Sequence, residues 1–250
     1  VFKKNLISCT HKNIPKEIDY FDFVVNFSFN PELYKSEYTN EYDQDSKIAK
    51  YILRSKKTKL LIISSRQVYG IHKKLNIFKE EDLNLNCKIS AYGLNKIKCE
   101  NNSKKFLFED DRLIICRSSN IFGNKVGGKN FTGIALNTLL NSNVINLNTK
   151  KTVVKDFLPI EYHSNILLSL ILSNVSGVFN VGSGAKISLG DLCNAFIFGY
   201  GSGQIIDNDI INDQFMLDVS KIQQYINFEI SKNSVLNYAY NIGESLRNKK

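Results

Sequence analysis

Tyr92-Gly-Leu-Asn-Lys96 sets a phenol and an ammonium four residues apart. On a helix such residues lie on one face, one turn above each other. The pattern predicts a helix over Ala91–Phe106, so that the two groups point into the same space. Upstream, the apolar run Leu60–Ile63 predicts a strand that ends in Ser64-Ser65-Arg66-Gln67-Val68-Tyr69-Gly70. A serine at the C-terminal end of a strand can meet the helix there. A free tyrosine ionises near pH 10 and is a poor base at neutral pH. An ammonium within roughly 4–6 Å favours the phenolate, and a general base works best when its pKa sits near the operating pH. Ser65, Tyr92 and Lys96 together therefore make a hydroxyl that orients a substrate oxygen, a proton donor-acceptor and a cation that tunes it. That set suits proton transfer coupled to hydride transfer at a carbinol carbon. Taken alone, Tyr-x-x-x-Lys equally describes a half-buried tyrosine and a solvated lysine; the Ser-Ser-x-x-Val-Tyr-Gly segment gives the pair its meaning.

With that segment, the chain resembles the extended short-chain dehydrogenase/reductases, the NAD-dependent epimerase/dehydratase group acting on nucleotide sugars. Further matches follow in that family's order. They are Arg117-Ser-Ser-Asn-Ile-Phe-Gly123, Lys155-Asp-Phe-Leu-Pro-Ile160, Val178-Phe-Asn-Val-Gly-Ser-Gly184 and Leu217-Asp-Val-Ser-Lys221. The resemblance implies an α/β fold: a Rossmann-like doubly wound parallel sheet with a smaller C-terminal substrate-binding part. It implies NAD or NADP as cofactor and a nucleotide-diphosphate sugar as substrate, in a homodimer. Ser65, Tyr92 and Lys96 would be catalytic. Ser28, Ser64, Tyr92 and Lys96 would touch the cofactor, Lys96 at the nicotinamide ribose. Asn120 would contact substrate, and Lys155 would stand near the nucleotide phosphates. No metal is implied.

The chain departs from the family pattern in several places. The Gly-x-x-Gly-x-x-Gly loop that opens the first strand-helix unit is absent. Phe21–Ser28 resembles the fourth strand of such a domain, with Ser28 in place of a small apolar residue. The chain starts at Val1, and the simplest account is a fragment lacking the first strands; a degenerate cofactor site is the alternative. Ser118 stands for a proline, Tyr162 for an aspartate and Lys155 for an arginine. Family members that remove water across C5–C6 carry Asp-Glu directly after the active-site hydroxyl. Here those positions are Arg66-Gln67, and neither can serve as a carboxylic acid or carboxylate base. The expected reaction is therefore 4-epimerisation or reduction of a 4-keto sugar rather than 4,6-dehydration. A relative that kept the fold but lost turnover, acting as a binding or structural protein, is the rival reading.

Composition sets outer limits. A chain of 250 residues holds one sizeable domain or a domain with an annex. No apolar run approaches the roughly 20 residues of a membrane span. The five cysteines are scattered without metal spacing and suggest reduced thiols in a cytoplasm. The net charge of +9 could mark a nucleic-acid surface. However, the lysines are dispersed in pairs, from Lys3-Lys4 to Lys249-Lys250, with no aromatic-interleaved basic stretch, so no nucleic-acid partner is expected. His11, His72 and His163 are isolated and read as surface or satisfied histidines rather than ligands.

Apolar runs alternate with helical patterns, which argues for a parallel sheet with crossover helices. Strands are predicted at Phe23–Phe27, Leu60–Ser64 and Leu113–Cys116, and a helix at Asp45–Leu53. Residues 1–123, with 158–182 returning to them, form the dinucleotide-binding part. Residues 124–157 and 183–250 form the substrate-binding part. In that second part helices are predicted at Phe131–Leu140, Leu189–Ile197, Val219–Tyr225 and Ser234–Leu246. Glu161–Leu172 reads as a helix of the returning segment, and Val178–Val181 as a strand rejoining the main sheet. The glycine clusters Gly123–Gly128, Gly182–Gly184 and Gly199–Gly203 lack phosphate-loop spacing and read as loops.

Overall fold

The structure is a computed structural model that describes residues 6–10 and 13–248. His11 and the lysine pairs at the two ends lie outside the described residues. In chain order the elements are β1 (Phe23–Asn26), α1 (Gln44–Ile52), β2 (Lys59–Ser65), β3 (Asn76–Phe78), α2 (Ala91–Leu107), β4 (Leu113–Ser118) and β5 (Asn120–Phe122). Then come α3 (Phe131–Ser142), β6 (Val144–Asn146), β7 (Val154–Lys155), β8 (Phe157–Pro159), α4 (Ile160–Ser173), β9 (Gly177–Val181) and β10 (Ile187–Ser188). The chain closes with α5 (Leu189–Tyr200), β11 (Gln204–Ile206), β12 (Phe215–Leu217), α6 (Ser220–Gln223) and α7 (Lys232–Arg247).

The main sheet has the order β1-β2-β4-β9, and every pairing in it is parallel. Its logic is visible in β2 and β4. Successive side chains point to opposite faces of a strand, and both faces of this sheet are covered. Leu60, Ile62, Leu113 and Ile115 pack on one face with Ile48, Ala49 and Ile52 of α1 and Leu107 of α2. Leu61, Ile114 and Cys116 pack on the other with Ile166, Leu167 and Leu170 of α4 and the helices beyond. All six residues of β4 are buried, as expected for a central strand of a parallel sheet with helices on both sides. The fold is thus the doubly wound, Rossmann-like arrangement, and β9 rejoins the sheet as predicted. Among the described residues no helix is long and apolar enough to cross a membrane.

Helix starts follow local chemistry. Asp43, Ser90, Asn130, Ser188 and Ser231 each accept a backbone N–H from the first turn of α1, α2, α3, α5 and α7, which satisfies donors the helix cannot. Several short strands, β3, β5, β11 and β12, were not foreseeable from periodicity. Each is three residues long and pairs in a small sheet of two strands. The predicted helix Val219–Tyr225 shrinks to the single turn of α6. One glycine reading needs correction: Gly199 lies inside α5, not in a loop. It and Gly243 of α7 face each other's backbone; a Cβ on Gly199 would collide with the Tyr240 carbonyl oxygen, and one on Gly243 with that of Phe196. The two glycines permit a helix crossing too close for any side chain.

Candidate active site

Ser65 is the last residue of β2. Its Oγ accepts the backbone N–H of Gln67 at 3.2 Å and so caps the short 3-10 turn Arg66–Tyr69. That leaves the hydroxyl proton free to donate. The first turn of α2 presses against this 3-10 turn at Gly93, where a Cβ would collide with the Gln67 carbonyl oxygen. Ser90, the α2 cap, also donates its hydroxyl to Gln67 Oε1 at 2.7 Å. These contacts bring Tyr92 to the mouth of β2. Ser65, Tyr92, Asn120 and Lys155 all line one cavity of about 520 Å³, which Tyr34 and Gln67 also line. The cavity opens beyond the carboxyl ends of the parallel strands, where ligands of open α/β sheets bind.

Lys96 sits one turn behind Tyr92 and is buried. Its Nζ donates to Asp45 Oδ2 at 2.9 Å and to the Ile63 carbonyl at 2.8 Å. Asn26, at the end of β1, donates to the other Asp45 oxygen at 2.7 Å. Ser28 in turn donates its N–H and its hydroxyl to Asn26 Oδ1, at 2.9 and 2.5 Å. The Tyr92 ring is covered on its other side: Tyr34 stacks on it at 4.4 Å between centroids, and Phe29 meets it edge-on at 5.6 Å. Burial, with smaller contributions from Tyr34 and Asp45, pushes the Tyr92 phenol up to about 12 despite the downward pull of Lys96. The expectation that Lys96 brings the phenol toward neutrality is therefore not met in this arrangement. The ammonium has a carboxylate against it, and the phenol is desolvated, which disfavours its charged form.

Two of the expected cofactor contacts are turned elsewhere. Ser64 donates its hydroxyl to Glu100 Oε1 at 2.5 Å, so its side chain faces the interior. Ser28 faces Asn26, as just described, and does not line the cavity. Glu100 is gripped by Arg117 through Nε (3.1 and 3.3 Å) and Nη2 (2.8 Å). Arg117 Nη1 reaches the Tyr69 hydroxyl at 3.1 Å, and Tyr69 donates to Asn180 Oδ1 at 2.7 Å. The residues Tyr69, Arg117 and Asn180, from three of the segments that carried the resemblance, thus form one buried network under the sheet ends. Asp156 is buried likewise and accepts from Ser183 N–H and hydroxyl, Gly184 N–H and Leu217 N–H.

Arg66 and Gln67, where dehydration would need carboxyl groups, are both engaged. Arg66 Nη2 pairs with Asp213 at 2.6 Å, and its guanidinium lies 4.0 Å above the Phe215 ring. Lys155 stands 3.9 Å from the same Asp213 carboxylate. Burial, joined by the charge of Arg66, lowers the Lys155 pKa against the pull of Asp213. His72 and His163 are satisfied histidines. The first has its Nε2 2.9 Å from the Tyr69 carbonyl, and the second has its Nε2 3.0 Å from Ser118 Oγ.

Sequence reasoning missed Asp45, Tyr34 and Asp213. For Asp45 a signal was present. Asp45, Ile48, Ala49 and Ile52 follow the i, i+3, i+4, i+7 spacing of one helix face. A carboxylate in an apolar stripe requires a buried partner. Asp43, Asp45 and Cys99 also cluster, but the carboxylates are taken up. Asp43 is held by the Ser46 N–H and the Tyr38 hydroxyl, and the Lys96 ammonium sits on Asp45.

The parallel sheet with helices on both faces and a cavity at its strand ends is an arrangement that this chain shares with several solved structures. Solved structures with this fold include MoeE5 in complex with UDP-glucuronic acid and NAD: 19% identity, TM-score 0.76, covering 97% of this chain and 85% of that one. Another is UDP-glucuronic acid 4-epimerase from Bacillus cereus in complex with UDP-glucuronic acid and NAD: 19% identity, TM-score 0.74, covering 95% and 80%. A third is dTDP-glucose 4,6-dehydratase from Bacillus anthracis in complex with NAD: 17% identity, TM-score 0.73, covering 90% and 73%. At these identities the likeness establishes the fold. No family model and no curated protein matches the chain.

Proposed function

We propose that the protein is an NAD(P)-dependent nucleotide-sugar 4-epimerase or 4-ketoreductase, with Tyr92 as the proton-transferring group. The observation that carries this reading is the shared cavity. Ser65, Tyr92, Asn120 and Lys155 are spread over 91 positions of chain yet line one space of about 520 Å³. Ser65 has its proton free to orient a sugar oxygen. Tyr92, a neutral phenol at physiological pH, is poised to donate to a carbonyl oxygen or to receive the proton of a hydroxyl. Lys96 has three N–H bonds, of which two are used by Asp45 and Ile63, so one remains for a ribose hydroxyl. Lys155 supplies the cation for a diphosphate. A bound nicotinamide would supply the hydride acceptor and donor, while Tyr92 moves the proton.

The described residues fit the nicotinamide half of such a cofactor, through Tyr92 and Lys96. Residues 1–69 contain no glycine, so they supply no glycine-rich pyrophosphate loop of their own. We assign residues 1–123 and 158–182 to the cofactor part and the remainder to the substrate part, in a cytoplasmic homodimer. The test is incubation with NDP-sugars at high NAD or NADP concentration, followed by product NMR. Interconversion of 4-epimers or reduction of a supplied 4-keto sugar is expected, with loss of turnover in Tyr92→Phe. Accumulation of a 4-keto-6-deoxy sugar would sink the assignment, since Arg66 and Gln67 offer no carboxyl group.

A further inference from the structure

The side chain that faces the Lys96 ammonium is a carboxylate, and that pairing has consequences for the phenol one turn away. Both members are buried, with side-chain exposures of 4% for Lys96 and 5% for Asp45. Every acceptor around them is committed. Asp45 Oδ2 takes Lys96 Nζ, Asp45 Oδ1 takes the Asn26 amide, and the Ile63 carbonyl takes a second Lys96 N–H. The chain of contacts runs Ser28–Asn26–Asp45–Lys96, from the end of β1 through α1 to α2. A carboxylate and an ammonium in contact act on a third group as a dipole, not as a free cation.

We propose that Asp45 is a positioning residue of the site: its carboxylate, steadied by Asn26, fixes Lys96 Nζ beneath the Ile63 carbonyl and cancels part of the field that the ammonium exerts on the Tyr92 phenol. The other titratable groups facing this pair are few. Asp43 lies at the start of α1, Tyr34 comes from the 3-10 turn Pro31–Tyr34, and Cys99 lies along α2; the loop between β1 and that turn adds the Phe29 ring, 5.8 Å from the ammonium, and β2 contributes the uncharged Ile63 carbonyl. Asp45 is the charged group in direct contact with Lys96. The effect on catalysis rests on the proposed role of Tyr92; the effect on the phenol does not.

The test is a pH titration of the ligand-free protein carrying tyrosine labelled with ¹³C at Cζ, with the Tyr92 signal assigned by its loss in Tyr92→Phe. Lys96 and Tyr92 titrate as a pair, and the Cζ shift reports whether the phenol is the group that loses its proton. In Asp45→Asn, which keeps the side chain's shape, the Tyr92 transition should fall by about one pH unit or more. A role confined to folding would leave it in place. An unmoved transition, or a first proton lost from Lys96 alone, overturns the proposal. If Asp45→Asn does not fold, Lys96→Met is compared with Lys96→Met/Asp45→Asn, which leaves no unpaired buried charge. The double variant must titrate below the single one, and equality overturns the proposal. Turnover is measured separately. If Tyr92→Phe stays active while the titration responds as stated, the proposed function fails and this inference stands.

Discussion

Replacing Glu100 by glutamine should damage the protein's stability far more than its chemistry. Glu100 and Arg117 have side-chain exposures of 1% and 3% and meet at 2.8 Å. Three contacts join them, and Ser64 adds a fourth to the carboxylate. In Glu100→Gln the shape is kept but the guanidinium is left buried without its counter-charge. Breaking a buried pair in this way costs about 3–5 kcal/mol. For a chain of this size each kcal/mol lowers Tm by about 2–4 °C, so a fall of about 6–20 °C is expected. Arg117→Met should cost a similar amount. The double variant removes both charges and should be more stable than the sum of the singles implies, by about 2 kcal/mol. Urea unfolding of the four proteins supplies the cycle. Additive losses would refute the reasoning, because the two residues would then act independently. So would an Arg117→Met protein that keeps its Tm but loses activity, since that would make Arg117 a group of the site and not of the scaffold.

Other outcomes follow from the same geometry. Tyr34→Ala uncovers the Tyr92 ring, so the phenol should titrate below its value of about 12; a ¹³C titration reads this, and an upward movement would contradict the burial argument. Burial lowers the His163 pKa from its ordinary 6.5 to about 4. Its stabilising contribution is therefore present above pH 6.5 and is lost as pH falls toward 4, by about 3 kcal/mol. His163→Gln should flatten the pH dependence of urea unfolding over that window. Gly199→Ala should destabilise by about 1–3 kcal/mol, the cost of overpacking, and Gly243→Ala likewise; unchanged melting would mean that α5 and α7 do not cross as described. Lys155→Met should raise KM for the sugar nucleotide with kcat little changed, and the opposite split would remove Lys155 from substrate binding.

The fold was legible where side-chain period and burial agree. β2 and β4 are apolar on both faces, so their runs stand out, and α2 carries its Ser90 cap in plain sight. β3, β5, β10, β11 and β12 were not legible because two or three residues hold no period. Gly199 read as a loop residue because glycine is a weak helix former. What holds it in α5 is a tertiary contact with α7, which no local pattern encodes.

The site was legible in part, and the division has a physical cause. Tyr92 and Lys96 are tied together by one helix turn, so spacing alone puts them on one face, and Ser65 meets them through the contacts of Gly93 and Ser90 with Gln67. Ser64, Tyr69, Arg117 and Asn180 sit in segments of the same appearance, yet they satisfy one another in the interior. Sequence gives residue type and order but not the side of a strand on which a hydroxyl is used. Ser64 and Ser65 are neighbours, and alternation sends one to Glu100 and the other to the cavity. The same limit hid Asp45. Its contact with Lys96 joins residues 51 positions apart, and its meaning lies in charge balance. A lysine proposed to tune a phenol must be judged together with its own counter-ion. Here that counter-ion is buried and hydrogen-bonded, so the acidity of the Tyr92 phenol is a property of α1 as much as of α2.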